Sequence, residues 1–414
     1  MTRFALPPRP NTAPHARTQG LLGLLALVFA TFFVANNALA ESRKPQKNLK
    51  KPAHVQSRGK VPPKAARPLR PAPVAKPATV AAPGPTAAPE HGARSYAQRP
   101  DAMAAAEDIA VRRDLDASWV RRAIGDARLL PSVGKLMLPP PANQKKNWNV
   151  YRSRFVEPVR IAAGVRFWRS HQDWLARAEA EFGVPPEIIV GIVGVETIYG
   201  QQTGNFRVID TLATLAFDFP AAHPRAAARQ AFFRDELEQF LSHSQRSNTD
   251  PMKPRGSYAG AMGWPQFMPS SIVRYAVDFD GDGRIDLTQP ADVIGSVANY
   301  FKGYGWQPGM RTHYAVRFER ERLKLDDLLA PDILPTFSVN ALAERGAVVD
   351  ADGARHSGPL ALVELQNGDA APVYVAGTEN FYVITRYNWS SYYAMAVIDL
   401  GEAVRAAVSA AGRP

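Results

Sequence analysis

The sequence predicts an α+β protein, mainly helical, with a small antiparallel sheet late in the chain. Three observations carry this expectation. The composition turns globular at about residue 101. From 101 to 310, apolar and aromatic residues recur at helical spacing between Pro and Gly punctuation. From about 311 to 378 the pattern changes: Tyr314-Ala-Val-Arg-Phe318 and Ala361-Leu-Val-Glu-Leu365 alternate, and Val373-Tyr-Val375 is rich in strand formers. Helical pattern returns over Ser391–Val408, and no internal repeat is visible.

The first segment reads as a secretory leader over residues 1–40. Arg3, Arg9 and Arg17 precede an apolar run of 14 residues from Leu21 to Val34, and Ala38-Leu39-Ala40 offers small residues before Glu41. A membrane-spanning helix needs ~20 apolar residues, so the run is short for a span, and a membrane is a partner only if the segment stays uncleaved. The expected location is outside the cytoplasm, in the periplasm. Residues 41–100 are rich in Pro, Ala, Lys and Arg and hold few large apolar residues. Such a stretch buries too little surface to offset its ordering entropy, so it reads as a disordered basic linker with a weak attraction to anionic surfaces.

Charge separates these regions. The 414-residue chain carries +12, but residues 1–40 hold three arginines and no acid, and 41–100 hold 13 Lys and Arg against two acids. The remainder, 101–414, is left at −2. The basic character belongs to the tail, so a nucleic-acid groove in the folded part is excluded as an expectation. There is no cysteine, which rules out disulfides, thiolate metal sites and a cysteine nucleophile. The eight histidines form no metal-spaced pair.

The folded part supplies one carboxylate of chemical interest. His171 to Phe182 reads as a helix stopped by Gly183. Pro185-Pro186 opens the next, with Glu187 in its first turn, and that helix is expected to run to about Tyr199 and end at Gly200. Ile189, Ile192, Val193 and Glu196 fall on one face of it, which should point inward. Glu196 therefore shares a buried stripe near the negative end of the helix. Both placements disfavour its ionised form, as a general acid near neutral pH requires. On the stripe alone, a buried Glu satisfied by local donors is an equal reading.

The surrounding motifs change that balance. Gly194-Val-Glu196-Thr-Ile-Tyr199-Gly200 is followed by Gly204-Asn-Phe206, and then by Ser257-Tyr-Ala-Gly-Ala-Met-Gly-Trp264-Pro-Gln266-Phe-Met-Pro-Ser-Ser271. Tyr151-Arg-Ser-Arg-Phe155, Asn299-Tyr-Phe301 and Asn380-Phe-Tyr-Val-Ile-Thr-Arg-Tyr387-Asn388 occur in the same order. Together they resemble the lytic murein transglycosylase B family, glycoside hydrolase family 103, among the lysozyme-like lytic transglycosylases. The resemblance covers most of 101–410. It implies a lysozyme-like helical core over 101–414 that carries Glu196, with flanking helices and a small β subdomain at about 311–378.

The resemblance also implies a mechanism and a partner. The substrate would be peptidoglycan glycan strands, cut at the N-acetylmuramic acid to N-acetylglucosamine bond. Glu196 alone would be acid and then base, where most glycosidases use two carboxylates. The product would be a 1,6-anhydro-muramyl end, formed because an intramolecular hydroxyl competes well with water. Ser257 and Gln266 would face the sugar's N-acetyl and hydroxyl groups. Tyr151, Tyr300, Tyr387, Asn388 and Tyr393 resemble the family's cleft residues, and tyrosine suits a sugar by its ring face and polar edge. Core packing is the competing reading for these tyrosines. Trp264 and Phe267 read rather as core. Other cell-wall enzymes are conceivable further partners.

Asp278-Phe-Asp280-Gly-Asp282-Gly283-Arg284-Ile285-Asp286 has EF-hand spacing, with acids at loop positions 1, 3, 5 and 9 and glycine at 6. Position 7 would ligate through the Arg284 carbonyl. Position 12 is Gln289 where the standard loop has Glu, but Asp292 follows at position 15. The family resembled has a longer loop closed by an acid at that place, so structural Ca²⁺ is expected on Asp278, Asp280, Asp282, Arg284, Asp286 and Asp292. No organic cofactor is expected. Three rivals remain at this level. A muramidase-type hydrolase would need a second acid, for which Asp210 and Asp218 are candidates. A non-catalytic murein-binding scaffold has no use for a buried acid beside Gln266. A calcium sensor would need more than one such loop.

Overall fold

The computed structural model describes residues 94–139 and 145–410. The expected leader at 1–40, and the expected linker up to residue 93, lie outside the described residues. The folded part starts before the expected boundary at 101. Ser95 bridges to Arg128, and Tyr96 is 1% exposed. The Tyr96 hydroxyl and the Arg99 guanidinium both bond Asp218, at 2.7 Å. A basic and Pro-rich composition hid this docking, because one aromatic and one ion pair carry it.

The first of three cores lies around the helix Pro186–Thr197. Pro186 at its first turn is pre-set for helix and leaves no amide proton to satisfy. The sequence stripe pointed one face inward, but every residue from Ile188 to Thr197 is buried. The reason is position. Helices Pro158–Ser170, Gln172–Phe182, Pro290–Gly303 and Ser391–Ala410 all pack on it, so it is a central helix, apolar on nearly all sides. Glycine permits the closest of these crossings. A Cβ at Gly191 would stand 2.2 Å from the Val397 carbonyl oxygen, and one at Gly401 would stand 2.0 Å from that of Glu187.

The second core joins helices Pro100–Arg113, Ala117–Asp126 and Pro131–Leu136 to Val208–Phe217 and Ala226–Arg246. Asp116 caps the second of these by accepting from the Trp119 N–H. Strands β1 (Phe206–Arg207) and β2 (Arg255–Gly256) pair antiparallel where the chain passes between the two helical cores.

The third core backs a four-stranded antiparallel sheet. Its strands are β3 (His313–Phe318), β4 (Ala347–Val349), β5 (Ala361–Asn367) and β6 (Ala370–Gly377), in the order β4-β3-β6-β5. Three of them hold the segments that alternate in the sequence. β4 is three residues long, too short for a period to register. One face of β5 and β6 joins the first core through Ala361, Val363, Leu365 and Val375, so the sheet leans on the helix Ser391–Ala410. Among the described residues, no helix is long and apolar enough to cross a membrane.

Candidate active site

The central helix ends earlier than its sequence suggests, at Thr197. Ile198, Tyr199 and Gly200 then take positive φ of 50°, 55° and 87°. A β-branched residue in this region is strained, so tertiary contacts must hold the turn. They are visible. The Thr197 hydroxyl donates to the Trp264 carbonyl at 3.0 Å and accepts the Gly200 N–H. The Tyr199 ring stacks on Phe167 with centroids 5.2 Å apart. Its hydroxyl lies where Cβ atoms at Gly164 and Gly194 would come within 2.4 and 2.5 Å.

This turn fixes Glu196, which is 2% exposed. Tyr393, on the helix Ser391–Ala410, donates its hydroxyl to Glu196 Oε1 at 2.5 Å. Oε2 is buried and has no partner among the described residues. Burial pushes the Glu196 carboxyl well above its ordinary range, against the opposing pull of the Tyr393 hydroxyl and the Arg160 charge. Arg160 belongs to the helix Pro158–Ser170. Its Nη1 donates to the carbonyls of Gly194 and Val195, at 2.6 and 3.3 Å. The dipole that should disfavour ionisation is thus partly answered by a guanidinium on the carbonyls that create it.

An aromatic wall adjoins the carboxyl. Tyr387 stacks on Tyr393 at 6.3 Å and 17°, and its hydroxyl donates to the Pro265 carbonyl. Tyr300 lies 4.7 Å from Tyr387 and donates to the Arg386 carbonyl at 2.8 Å. Burial first, and then the Glu196 charge, hold the Tyr387 and Tyr393 hydroxyls above the usual phenol range. Tyr151 packs edge-on against Tyr392 at 5.7 Å and is half-buried. Asn388 is 5% exposed in the bend between Tyr387 and Ser390. Phe267 is core, and Trp264 is half-buried against the same core.

The segment 257–266 is the opposite wall. The Ser257 hydroxyl accepts the Ala259 and Ala261 N–H groups at 3.3 and 3.1 Å, which closes the turn. Gln266 takes a φ of 51° and is 3% exposed. Its Nε2 donates to the carbonyls of Gly263 and Thr203, at 2.8 and 3.1 Å, and its Oε1 is buried with no partner among the described residues. Two orphaned acceptor atoms, Glu196 Oε2 and Gln266 Oε1, are therefore held on elements tied together through Thr197, Trp264 and Tyr387. A buried acceptor without a donor is costly, and both are suited to a ligand's N–H or O–H.

The candidates for a second carboxylate are employed elsewhere. Asp210 is ion-paired with Arg207 at 2.7 Å and accepts the Arg128 N–H. Asp218 holds Arg99 and Tyr96. Neither is among the groups that bear on Glu196.

In the acidic loop, carboxylate oxygens of Asp278, Asp280 and Asp292 lie within 4.8 Å of one another. Asp292, 2% exposed, accepts the N–H groups of Phe279 and Asp286, both at 2.7 Å, so it closes the loop from the following helix. Asp278 accepts from Gly281 and Gly283. Asp280 accepts the Asp282 N–H, yet desolvation and the charges of Asp292, Asp282 and Asp278 push its carboxyl up. Asp282 and Asp286 are not in this group of three. They accept the Arg284 and Thr288 N–H groups, at 2.8 Å each, because their neighbours in sequence are the nearest donors.

Residues 98–402 match the family model described as the transglycosylase SLT domain. The chain is 40% identical over 318 residues to the membrane-bound lytic murein transglycosylase B of Escherichia coli (strain K12), covering 75% of this chain and 84% of that protein. The E. coli lytic transglycosylase SLT35, solved in complex with calcium, is 39% identical with a TM-score of 0.65, over 77% of this chain and 98% of that one. SltB3 from Pseudomonas aeruginosa, solved in complex with NAG-NAM-pentapeptide, is 28% identical with a TM-score of 0.61, over 73% of this chain and 78% of that one. The chain therefore belongs to the lytic murein transglycosylase B family, the lytic transglycosylases that act on peptidoglycan.

Proposed function

We propose that this lytic transglycosylase cleaves the MurNAc–GlcNAc β-1,4 bond with Glu196 as its single acid and base, leaving a 1,6-anhydro-MurNAc end. The carrying observation is a carboxyl held protonated by burial, with one oxygen fixed by Tyr393, the other open, and no carboxylate partner among the described residues. Glu196 gives its proton to the glycosidic oxygen as the C1–O bond breaks, and GlcNAc leaves as an alcohol. The substrate's own N-acetyl oxygen stabilises the cationic C1. Glu196, now anionic, takes the proton of the C6 hydroxyl while O6 bonds to C1, which restores the acid. With Asp210 and Asp218 held by arginines, no second carboxylate of the described residues serves the muramidase reading, which needs a base to hold water.

Gln266 and Ser257 lie on the wall that would meet the sugar, and Gln266 Oε1 suits an N-acetyl N–H. Tyr151, Tyr300, Tyr387, Asn388 and Tyr393 form or back the other wall. As packed, the hydroxyls of Tyr300, Tyr387 and Tyr393 bond to protein groups, so they shape the carboxyl's surroundings as much as they offer contact.

Ca²⁺ fits the loop at Asp278, Asp280 and Asp292. Three converging carboxylates repel one another, and a hard cation with oxygen ligands relieves that. The Arg284 carbonyl would add a ligand, and Asp282 and Asp286 would join by turning from their local N–H groups. SLT35 was solved with calcium, and the ion's role here would be stabilising. Export to the periplasm, through the leader at 1–40, completes the reading, and the E. coli relative is named as membrane-bound.

The test is digestion of purified sacculi by the protein and by its Glu196→Gln variant, with released muropeptides read by mass spectrometry. Anhydro ends, lighter by one water than hydrolysed ends, should form with the parent and fall by about 10²–10⁴-fold in the variant. Fully hydrated ends would overturn the transglycosylation, and a fully active variant would overturn the role of Glu196.

A further inference from the structure

Arg160 is the only buried lysine or arginine among the described residues, at 4% exposed. It occupies a stripe position of its helix, with Ala163, Gly164 and Phe167 at i+3, i+4 and i+7. An arginine in such a place is costly unless it is compensated. Its compensation comes from the last turn of the central helix: Nη1 donates to the Gly194 and Val195 carbonyls, the two that precede Glu196. The guanidinium also faces the Phe155 ring at 5.3 Å. Nε is buried with no hydrogen bond among the described residues and lies 3.8 Å from Glu157.

We propose that Arg160 is a positioning residue for Glu196, clamping the turn that carries the carboxyl and supplying the buried positive charge that makes its anionic phase attainable. This rests on Glu196 as the acid and base. A single carboxylate must alternate between two states in one dry site. Burial favours the acid, and without a counter-charge the conjugate base that takes the C6 proton would be too costly to form. Tyr393 stabilises the base from the helix Ser391–Ala410, and Arg160 does so from the helix Pro158–Ser170. The other titratable groups around the carboxyl are neutral phenols. Tyr387 faces it, Tyr151 and Tyr300 lie behind Tyr393 and Tyr387, and Tyr199 sits beside Arg160. Glu157 is the one acid that bears on Arg160 together with Glu196, and it does not bear on Glu196 directly.

The experiment is the pH profile of kcat for anhydro-muropeptide release from sacculi. Three variants are compared with the parent: Arg160→Gln, Glu157→Gln and Glu196→Gln. Arg160→Gln removes the charge but keeps an N–H donor for the helix carbonyls. It should lower kcat about tenfold and move the alkaline limb up by roughly half a pH unit or more. Glu157→Gln, at a partly exposed cap, frees the Arg160 charge and should move the limb down. Opposite movements of the limb support the proposal. Where Arg160→Gln does not fold, the downward movement in Glu157→Gln supports it alone. Folded variants whose limbs coincide with the parent's overturn it, since a merely structural arginine changes stability and not the limb. An active Glu196→Gln would instead overturn the acid/base reading beneath it.

Discussion

The Glu196 carboxyl keeps its proton where an exposed one would ionise, because burial outweighs the Tyr393 hydroxyl and the Arg160 charge together. Stability then depends on pH in a definite direction. Folded Glu196 holds a proton that the unfolded chain releases above about pH 4.3. Its contribution is therefore whole below that pH and is lost as pH rises through the folded value. Glu196→Gln should melt with the parent near pH 4 and above it at about pH 8. The gain there is roughly 1.4 kcal/mol for each pH unit that separates folded from unfolded titration. Melting curves across that range check this, and a variant less stable at the alkaline end would contradict the burial of a protonated acid. The stripe of Ile189, Ile192 and Val193 made Glu196 legible as a buried residue, but its helix is buried on every side, so the stripe did not single it out. Arg160 was missed although its own helix carries the same spacing. Its partners are backbone carbonyls on a helix 34 residues away, and no side-chain pattern marks them.

At the scale of elements, the site depends on how closely two helices cross. The helix Ser391–Ala410 reaches the central helix through Gly191 and Gly401, and that approach sets Tyr393 on Glu196. Gly191→Ala puts a methyl 2.2 Å from the Val397 carbonyl, which cannot be relieved by a rotamer change. The helices must part, at a cost of about 1–3 kcal/mol. Denaturant melts should show that loss, and sacculus digestion should fall with it in the fraction that stays folded. Unchanged stability would mean that the two helices have room to spare at this crossing. Helices and their stops were readable where chemistry is local, as at Gly183, whose φ of 72° ends the helix Gln172–Phe182. The early end of the catalytic helix was not, because Ile198 and Tyr199 take positive φ only under contacts from Trp264, Phe167 and Arg160's carbonyl grip.

At the scale of the whole molecule, the acidic loop is a joint as well as a candidate ion site. Phe279 within it packs against Trp174 and Phe182 and over Gly295, and its carbonyl accepts the Arg177 guanidinium at 2.6 Å. Calcium on Asp278, Asp280 and Asp292 would therefore stabilise the first core as a unit. At a hundredfold excess over its Kd the gain is about 2.7 kcal/mol. Chelator should lower the melting temperature, Ca²⁺ should restore it, and Asp292→Asn should abolish the response. Calorimetry on chelator-treated protein that detects no binding would defeat the reading. The sequence by itself determined the helical and alternating segments, the neutral charge of the folded part, the acidic loop and the motifs around Glu196, all of which are written in local spacing. Only the tertiary structure decided that Tyr393 and Arg160 flank the carboxyl, that Asp210 and Asp218 are bound to arginines, that Asp282 and Asp286 turn to their own backbone, and that Tyr96 begins the fold. Each of these is a contact between residues distant in the chain, or a choice among partners that opens only once the chain has packed.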